Sequence, residues 1–186
     1  MADPEGTIRV AEEVARILES RGVGAVVIGA VALAAHGYVR FTDDLDLGIN
    51  TDQGTLRQVA DGLRMAGFDV ALREPDGADP LGGVIDVRGA FGLVQIVNFG
   101  GRFPAVIDES IAEADTVIRP GSLLRIMPLP HLVALKLYAG GMKSRADIVE
   151  LLAFNPGADI ARIRGLCEKW RLGGFDALID ESASGR

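Results

Sequence analysis

The chain has one cysteine, Cys167, in 186 residues. No disulfide can close within it, which suits a reducing compartment and leaves packing as the source of stability. It has only two histidines, His36 and His131, far apart in sequence. With a single thiol they do not make up the ligand set of a structural zinc site. Basic residues are not in excess: 19 Lys and Arg stand against 26 Asp and Glu, for a net charge of −7. That balance argues against a broad basic surface for non-specific nucleic-acid binding, though not against a local basic strip. A long apolar run is also missing. The most apolar stretch, 23–35, is too short to span a bilayer and runs into His36 and Gly37. The opening Met-Ala-Asp-Pro-Glu-Gly lacks the basic start and apolar core of a secretory signal. The expectation is a soluble cytoplasmic protein with no membrane partner.

What is present is material for one well-buried core. Hydrophobic residues make up 48% and charged residues 24%. This is not the composition of a disordered chain, and the length fits one domain or one domain with a small helical annex. Period-3.6 patterning predicts a helix over 7–21, with Val10, Val14, Ile17 and Leu18 on one face and Gly22 and Gly24 ending it. A strand over 25–28, Gly29, a short helix over 30–35 and a second strand over 44–49 follow. A helix over 52–66 has Leu56, Val59, Leu63 and Met65 as its expected buried set. A third strand covers 68–72.

Residues 73–83, rich in Pro, Asp and Gly, read as a surface loop. Strands over 84–88 and 93–99 form a hairpin around Gly89-Ala90-Phe91-Gly92. A short helix over 104–114 and a strand over 123–127 complete an α/β part, 1–127. The remainder, 128–186, is helical: a helix opened by Pro128-Leu129-Pro130, then helices over 144–154 and 158–170. Residues 181–186 read as a frayed tail. No linker separates the parts, so the helices are expected to pack on the α/β part.

The informative stretch is 26–49, and its centre is Asp44-Leu45-Asp46-Leu47. Side chains on a strand alternate faces, so Asp44 and Asp46 share one face while Leu45, Leu47 and Ile49 point into the core. Two carboxylates that close together do not both stay charged without compensation, and a divalent cation is the natural compensation. Such a pair suits phosphoryl or nucleotidyl transfer. An isolated Asp-x-Asp is more often a solvated strand edge. Here the pair follows a strand–Gly29–helix unit, and such a turn offers backbone N–H groups to phosphate. The other polar residues have plainer readings. His36 is a helix-end contact and Ser144-x-x-Asp147 a loose capping box. Cys167 is core and His131, after Pro130, is exposed. Lys136, among apolar residues, fits a snorkelling side chain as well as a phosphate-site group.

Gly29, His36-Gly37, Arg40, Thr42 and Asp44-Leu45-Asp46 together resemble the pattern of minimal nucleotidyltransferases of the polymerase-β-like superfamily, in the branch that contains abortive-infection-type toxins. Lys136, Lys143 and Asp147 resemble that family's helical lysine and downstream acid. The resemblance runs in order over about 7–154. It implies a mixed sheet flanked by helices with a C-terminal helical section. It also implies transfer of a nucleotidyl group from an NTP to a hydroxyl on RNA, protein or a small molecule. By this resemblance Asp44 and Asp46 would hold Mg2+ or Mn2+. Gly29 and Ala30 would cradle phosphates, with Arg40, Thr42 and Lys136 alongside. A toxin–antitoxin role with a cognate antitoxin is compatible with it.

Two positions depart from the pattern. Ala30 stands where the family has Gly or Ser. At the third acidic position the matching strand carries Gln95, with Asp86 on the neighbouring strand as the other candidate for the catalytic acid. If no acid reaches the pair, the alternative is a catalytically degenerate member that binds nucleotide or a protein partner without turnover.

Overall fold

Asp3 starts the first helix. Its carboxylate accepts from the Gly6 amide at 3.0 Å, and Pro4 occupies the first turn, where a missing N–H costs nothing. In the computed structural model, which describes residues 3–76 and 81–184, α1 (Pro4–Glu19) leads into β1 (Ala25–Ile28), α2 (Gly29–Ala35), β2 (Asp44–Ile49) and α3 (Gln53–Met65). Then come β3 (Asp69–Arg73), β4 (Val84–Gly89), β5 (Gly92–Asn98) and α4 (Pro104–Glu113). The chain closes with α5 (Leu129–Ala139), α6 (Gly141–Phe154), α7 (Ile160–Lys169) and α8 (Phe175–Ser184). The fold is α/β: a five-stranded mixed sheet in the order β1-β2-β5-β4-β3, flanked by eight helices among the described residues. β2 and β5 run parallel, and the other three neighbouring pairs are antiparallel.

The two-residue period of the strands sorts their side chains. Leu45, Leu47, Val94, Ile96, Ile85 and Val87 are fully or almost fully buried, in one continuous core with Val14 and Leu18 of α1 and Leu56, Val59 and Leu63 of α3. The same alternation puts Asp44, Asp46, Gln95 and Asp86 on the other face. The C-terminal helices join that core through Leu132, Ile148, Leu151, Ile163 and Phe175. α5 packs on α4, α6 and α7, and α6 packs on α8. No helix among the described residues is long and apolar enough to cross a membrane.

The structure differs from the sequence expectations in five places. Met65 is 89% exposed rather than buried. It lies two positions past Leu63, roughly 200° further round the helix, on the side away from the core. The stretch 123–127 forms only isolated bridges, Val27 with Ile126 and Val117 with Arg125. Pro128, which has no N–H to donate, ends that pairing. The tail over 181–184 belongs to α8, anchored by the buried Phe175 and Leu178. Asp147 caps nothing: α6 begins at Gly141, and Asp147 is buried within it. His131 is fully buried rather than exposed, because the helix that Pro130 opens is packed on both sides. Of the expected loop over 73–83, residues 77–80 lie outside the described residues.

His131 is the unusual group in this core. Neither ring nitrogen has a hydrogen-bond partner, and the nearest carboxylate oxygen, on Glu113, is 3.8 Å away. The ring lies against Trp170, with centroids 6.1 Å apart. Burial holds its pKa below the usual 6.5, against the pull of Glu113. In the unfolded chain the imidazole takes up its proton first as pH falls, so His131 costs stability progressively below about pH 6.5. His131→Leu removes an unsatisfied buried donor. It is expected to raise the unfolding free energy by about 1–2 kcal/mol near neutral pH, and by more at about pH 5. Urea denaturation at the two pH values checks both the gain and its direction.

Candidate functional site

Gly29 is the point at which β1 turns into α2, and its backbone is left-handed at φ +66°. The left-handed region suits glycine, and here a second constraint acts as well. A Cβ on Gly29 would collide with the Asp46 carboxylate and come within 2.8 Å of its Cγ. The register explains the approach, because Ile28, the last residue of β1, pairs with Asp46. Asp46 therefore lies over a turn that has room for it only because residue 29 has no side chain. α2 begins without a side-chain cap, and Ala30 is buried behind the turn.

Asp44 shares the face with Asp46 and is half-buried, its carboxylate hydrogen-bonded by the Thr42 hydroxyl. Burial, and next the charge of Asp44, raise the Asp46 carboxyl to about 6. Lys136, Arg40 and Lys143 oppose that rise. Two of these cations are held by one acid. Lys136 Nζ donates to Asp147 Oδ2 at 2.6 Å, and Arg40 Nε lies 3.8 Å from Asp147 Oδ1. Arg40 Nε is buried without a hydrogen-bond partner. Burial also lowers the Lys136 ammonium from its ordinary value, which the Asp147 contact opposes. A cavity of about 270 Å3 joins the Gly29 turn to α5, lined by Ile28, Gly29, Leu135, Lys136, Tyr138 and Ser144 among others. A wider cleft of about 770 Å3 runs past Pro4, Phe41, Thr42, Asp43 and Gly89, with Phe41 87% exposed at its edge.

Gly29, Asp44, Asp46, Thr42, Arg40 and Lys136 are thus gathered at one end of the sheet. Asp86 is not among them. The register sets Gln95 beside Asp46 and puts Asp86 on the far side of Gln95. There Asp86 is 97% buried and bound by Arg73, Arg88 and Gln95. Asp147 is the residue that the sequence reading assigned to capping, although it is the anchor of both cations; its signal was its place in the family-like order after Lys136. His36, a helix-end contact as expected, donates from Nε2 to the Met127 carbonyl at 2.8 Å. Among the described residues no group of three or more His, Cys, Asp or Glu is arranged to hold a metal ion.

The raised Asp46 carboxyl has a pH signature. In the unfolded chain it ionises near 3.8 and in the folded chain near 6. Its contribution is therefore favourable below the first value and is lost as pH rises through the second. Asp46→Asn is expected to be near neutral at about pH 4 and stabilising by roughly 2–3 kcal/mol at about pH 7. Urea denaturation at both pH values tests this; an equal effect at the two would mean that buried charge is not the cause.

No protein-family model matches the chain, and no curated protein does. Solved structures do match. A crystal structure of ANT(2")-Ia in complex with adenylyl-2"-tobramycin is 15% identical, with a TM-score of 0.53 over 88% of this chain and 96% of that one. A solution structure of the same antibiotic-resistance factor is 16% identical, at 0.56 over 98% and 100%. An antigenic nucleotidyltransferase-like protein from Paracoccidioides brasiliensis is 17% identical, at 0.55 over 90% of each chain. The sheet order, the flanking helices and these matches show that the chain adopts a nucleotidyltransferase fold.

Proposed function

We propose that the protein is a Mg2+-dependent nucleotidyltransferase, with Mn2+ as an equivalent ion, that moves a nucleotidyl group from an NTP to a hydroxyl acceptor and releases pyrophosphate. The observation that carries this reading is the Asp44–Asp46 pair on one face of β2, seated over the Gly29 turn with Arg40 and Lys136 alongside. The residues fit the ion. Two carboxylates, one of them raised toward neutrality by burial and by the other, are hard oxygen donors short of a counter-charge. Such a cation, bound by Asp44, Asp46 and the nucleotide phosphates, would neutralise charge that builds on the phosphates during transfer.

The chain's own residues do the rest. Gly29 leaves room for the Asp46 carboxylate, and the turn it forms would present backbone N–H groups to the phosphates. Arg40, with its unpartnered Nε, and Lys136 offer donors to the phosphates, and Asp147 holds both cations in place until nucleotide arrives. Lys136 comes from α5, so the 128–186 helices contribute to the site rather than forming a separate appendage. The cavity between Gly29 and Tyr138 suits part of the nucleotide. The cleft beside Phe41 is of the size that takes a small molecule. A small hydroxylated acceptor, of the general kind adenylated in the ANT(2")-Ia complex, accords with that cleft and with the net charge of −7 better than a long RNA does. A growth-inhibiting role countered by an antitoxin rests on the motif resemblance alone.

Gln95 favours one second reading, a binding protein without turnover, because an amide takes no proton at neutral pH. Calorimetric titration with each of the four NTPs, with Mg2+ and with chelator, tests the proposal. NTP affinity is expected to depend on the ion and to fall at least tenfold in Asp44→Asn and Asp46→Asn, with the fold retained by circular dichroism. Binding that is indifferent to the ion, or absent for every NTP, overturns it. Ion-dependent binding with no pyrophosphate release across a panel of hydroxylated acceptors selects the second reading.

A further inference from the structure

The neighbour of Asp46 on the sheet is an amide, and a buried acid one strand further out determines how that amide behaves. Asp46, Gln95 and Asp86 are aligned across β2, β5 and β4. Strands lie about 4.8 Å apart, so Asp86 is roughly 10 Å from Asp46, backbone to backbone. Gln95 Nε2 donates to Asp86 Oδ1 at 2.8 Å. The same oxygen accepts from Arg73 Nη2 at 3.1 Å, and Oδ2 accepts from Arg88 Nη2 at 2.7 Å. Only 3% of the Asp86 side chain is exposed, while both arginines are more than half exposed.

Two consequences follow from donors and acceptors alone. Asp86, bound by three donors and two strands away, does not reach an ion at Asp46. It also dictates what residue 95 can be: a carboxylate there would set two acceptors against each other at 2.8 Å with no proton between them. An amide supplies the donor. Once its nitrogen is committed to Asp86, the atom it has left is the carbonyl oxygen Oε1, a hard but uncharged ligand.

We propose that Asp86 is a positioning residue that keeps position 95 a neutral amide of fixed orientation, so that the protein's own groups hold one divalent cation at Asp44 and Asp46, with Gln95 Oε1 serving that ion or its water, and build no second cation position. This rests on the carboxylate pair being the cation site, as proposed above. Exchanging the partners by Asp86→Asn with Gln95→Glu reverses the hydrogen bond without losing it and moves a carboxylate one strand closer to the pair.

Mn2+ titration of the full chain without nucleotide, read by the electron paramagnetic resonance of free Mn2+, tests this. The wild type is expected to bind one Mn2+ per chain. The exchange variant is expected to bind a second ion, or the first at least tenfold more tightly. Gln95→Leu, which removes Oε1 and conserves bulk, keeps one ion and weakens it several-fold; it also carries the test if circular dichroism finds the exchange variant unfolded. Two ions per wild-type chain, unchanged binding in a folded exchange variant, or unchanged affinity in Gln95→Leu each overturn the inference and leave the cation site standing. If the wild type binds no Mn2+, or Asp44→Asn binds it equally well, the failure belongs to the cation-site reading on which this rests.

Discussion

Much of this molecule is arranged around a carboxylate that it keeps partly out of water. Asp46 sits against the Gly29 turn, next to a second acid on its own strand, and its carboxyl is pushed up to about 6 as a result. Left alone, that arrangement costs free energy, and three features limit the cost. The turn residue has no side chain, so the carboxylate is not squeezed further. Arg40 and Lys136 bring positive charge close, and Asp147 fixes those cations without neutralising Asp46 itself. On the proposed reading such a site is unfavourable until a cation fills it, and the residues that would serve function are not those that make the protein stable.

The helical third of the chain has its significance here. Lys136 and Asp147 lie on α5 and α6; Lys136 acts on Asp46 of a strand more than eighty residues earlier, and Asp147 pairs with Lys136 and with Arg40, just before that strand. The shared core that includes Leu132 and Ile148 holds them there. Packing, which is non-directional, thereby fixes a directional set of charges. The cost shows at His131, whose ring fills space between α5 and Trp170 but leaves both nitrogens without partners. The Asp86 cluster is the second polar island. It lies on the same sheet face, but its charges are satisfied locally by Arg73, Arg88 and Gln95, so it acts on the first site only through the amide between them.

Local patterning was enough for the strands and for most of the helices. The Asp44–Ile49 alternation, the glycines around the hairpin and the apolar spacing of Leu56, Val59 and Leu63 are near-neighbour signals. Where the reading missed, the deciding contact was remote. Met65 looked like a core residue by type, but the helix face it occupies turns outward. The stretch 123–127 has strand composition, but it meets β1 at a single bridge. Phe175 and Leu178 carried a helical spacing, and it was the body they pack against that made α8 a helix rather than a tail.

The sequence by itself determined the α/β order, the turn at Gly29 and the shared face of Asp44 and Asp46, because strand alternation and turn signals act over a few residues; that residue 29 has no room for a side chain came from Asp46 on the paired strand. Only the tertiary structure decided that Gln95 rather than Asp86 stands beside Asp46, that Asp147 serves Lys136 and Arg40 rather than a helix end, and that His131 is buried. Each of those outcomes depends on strand register or helix packing. A one-residue shift in register would turn every side chain of a strand to the opposite face, and nothing in the local pattern of β5 says which residues of β2 on one side and of β4 on the other it will meet.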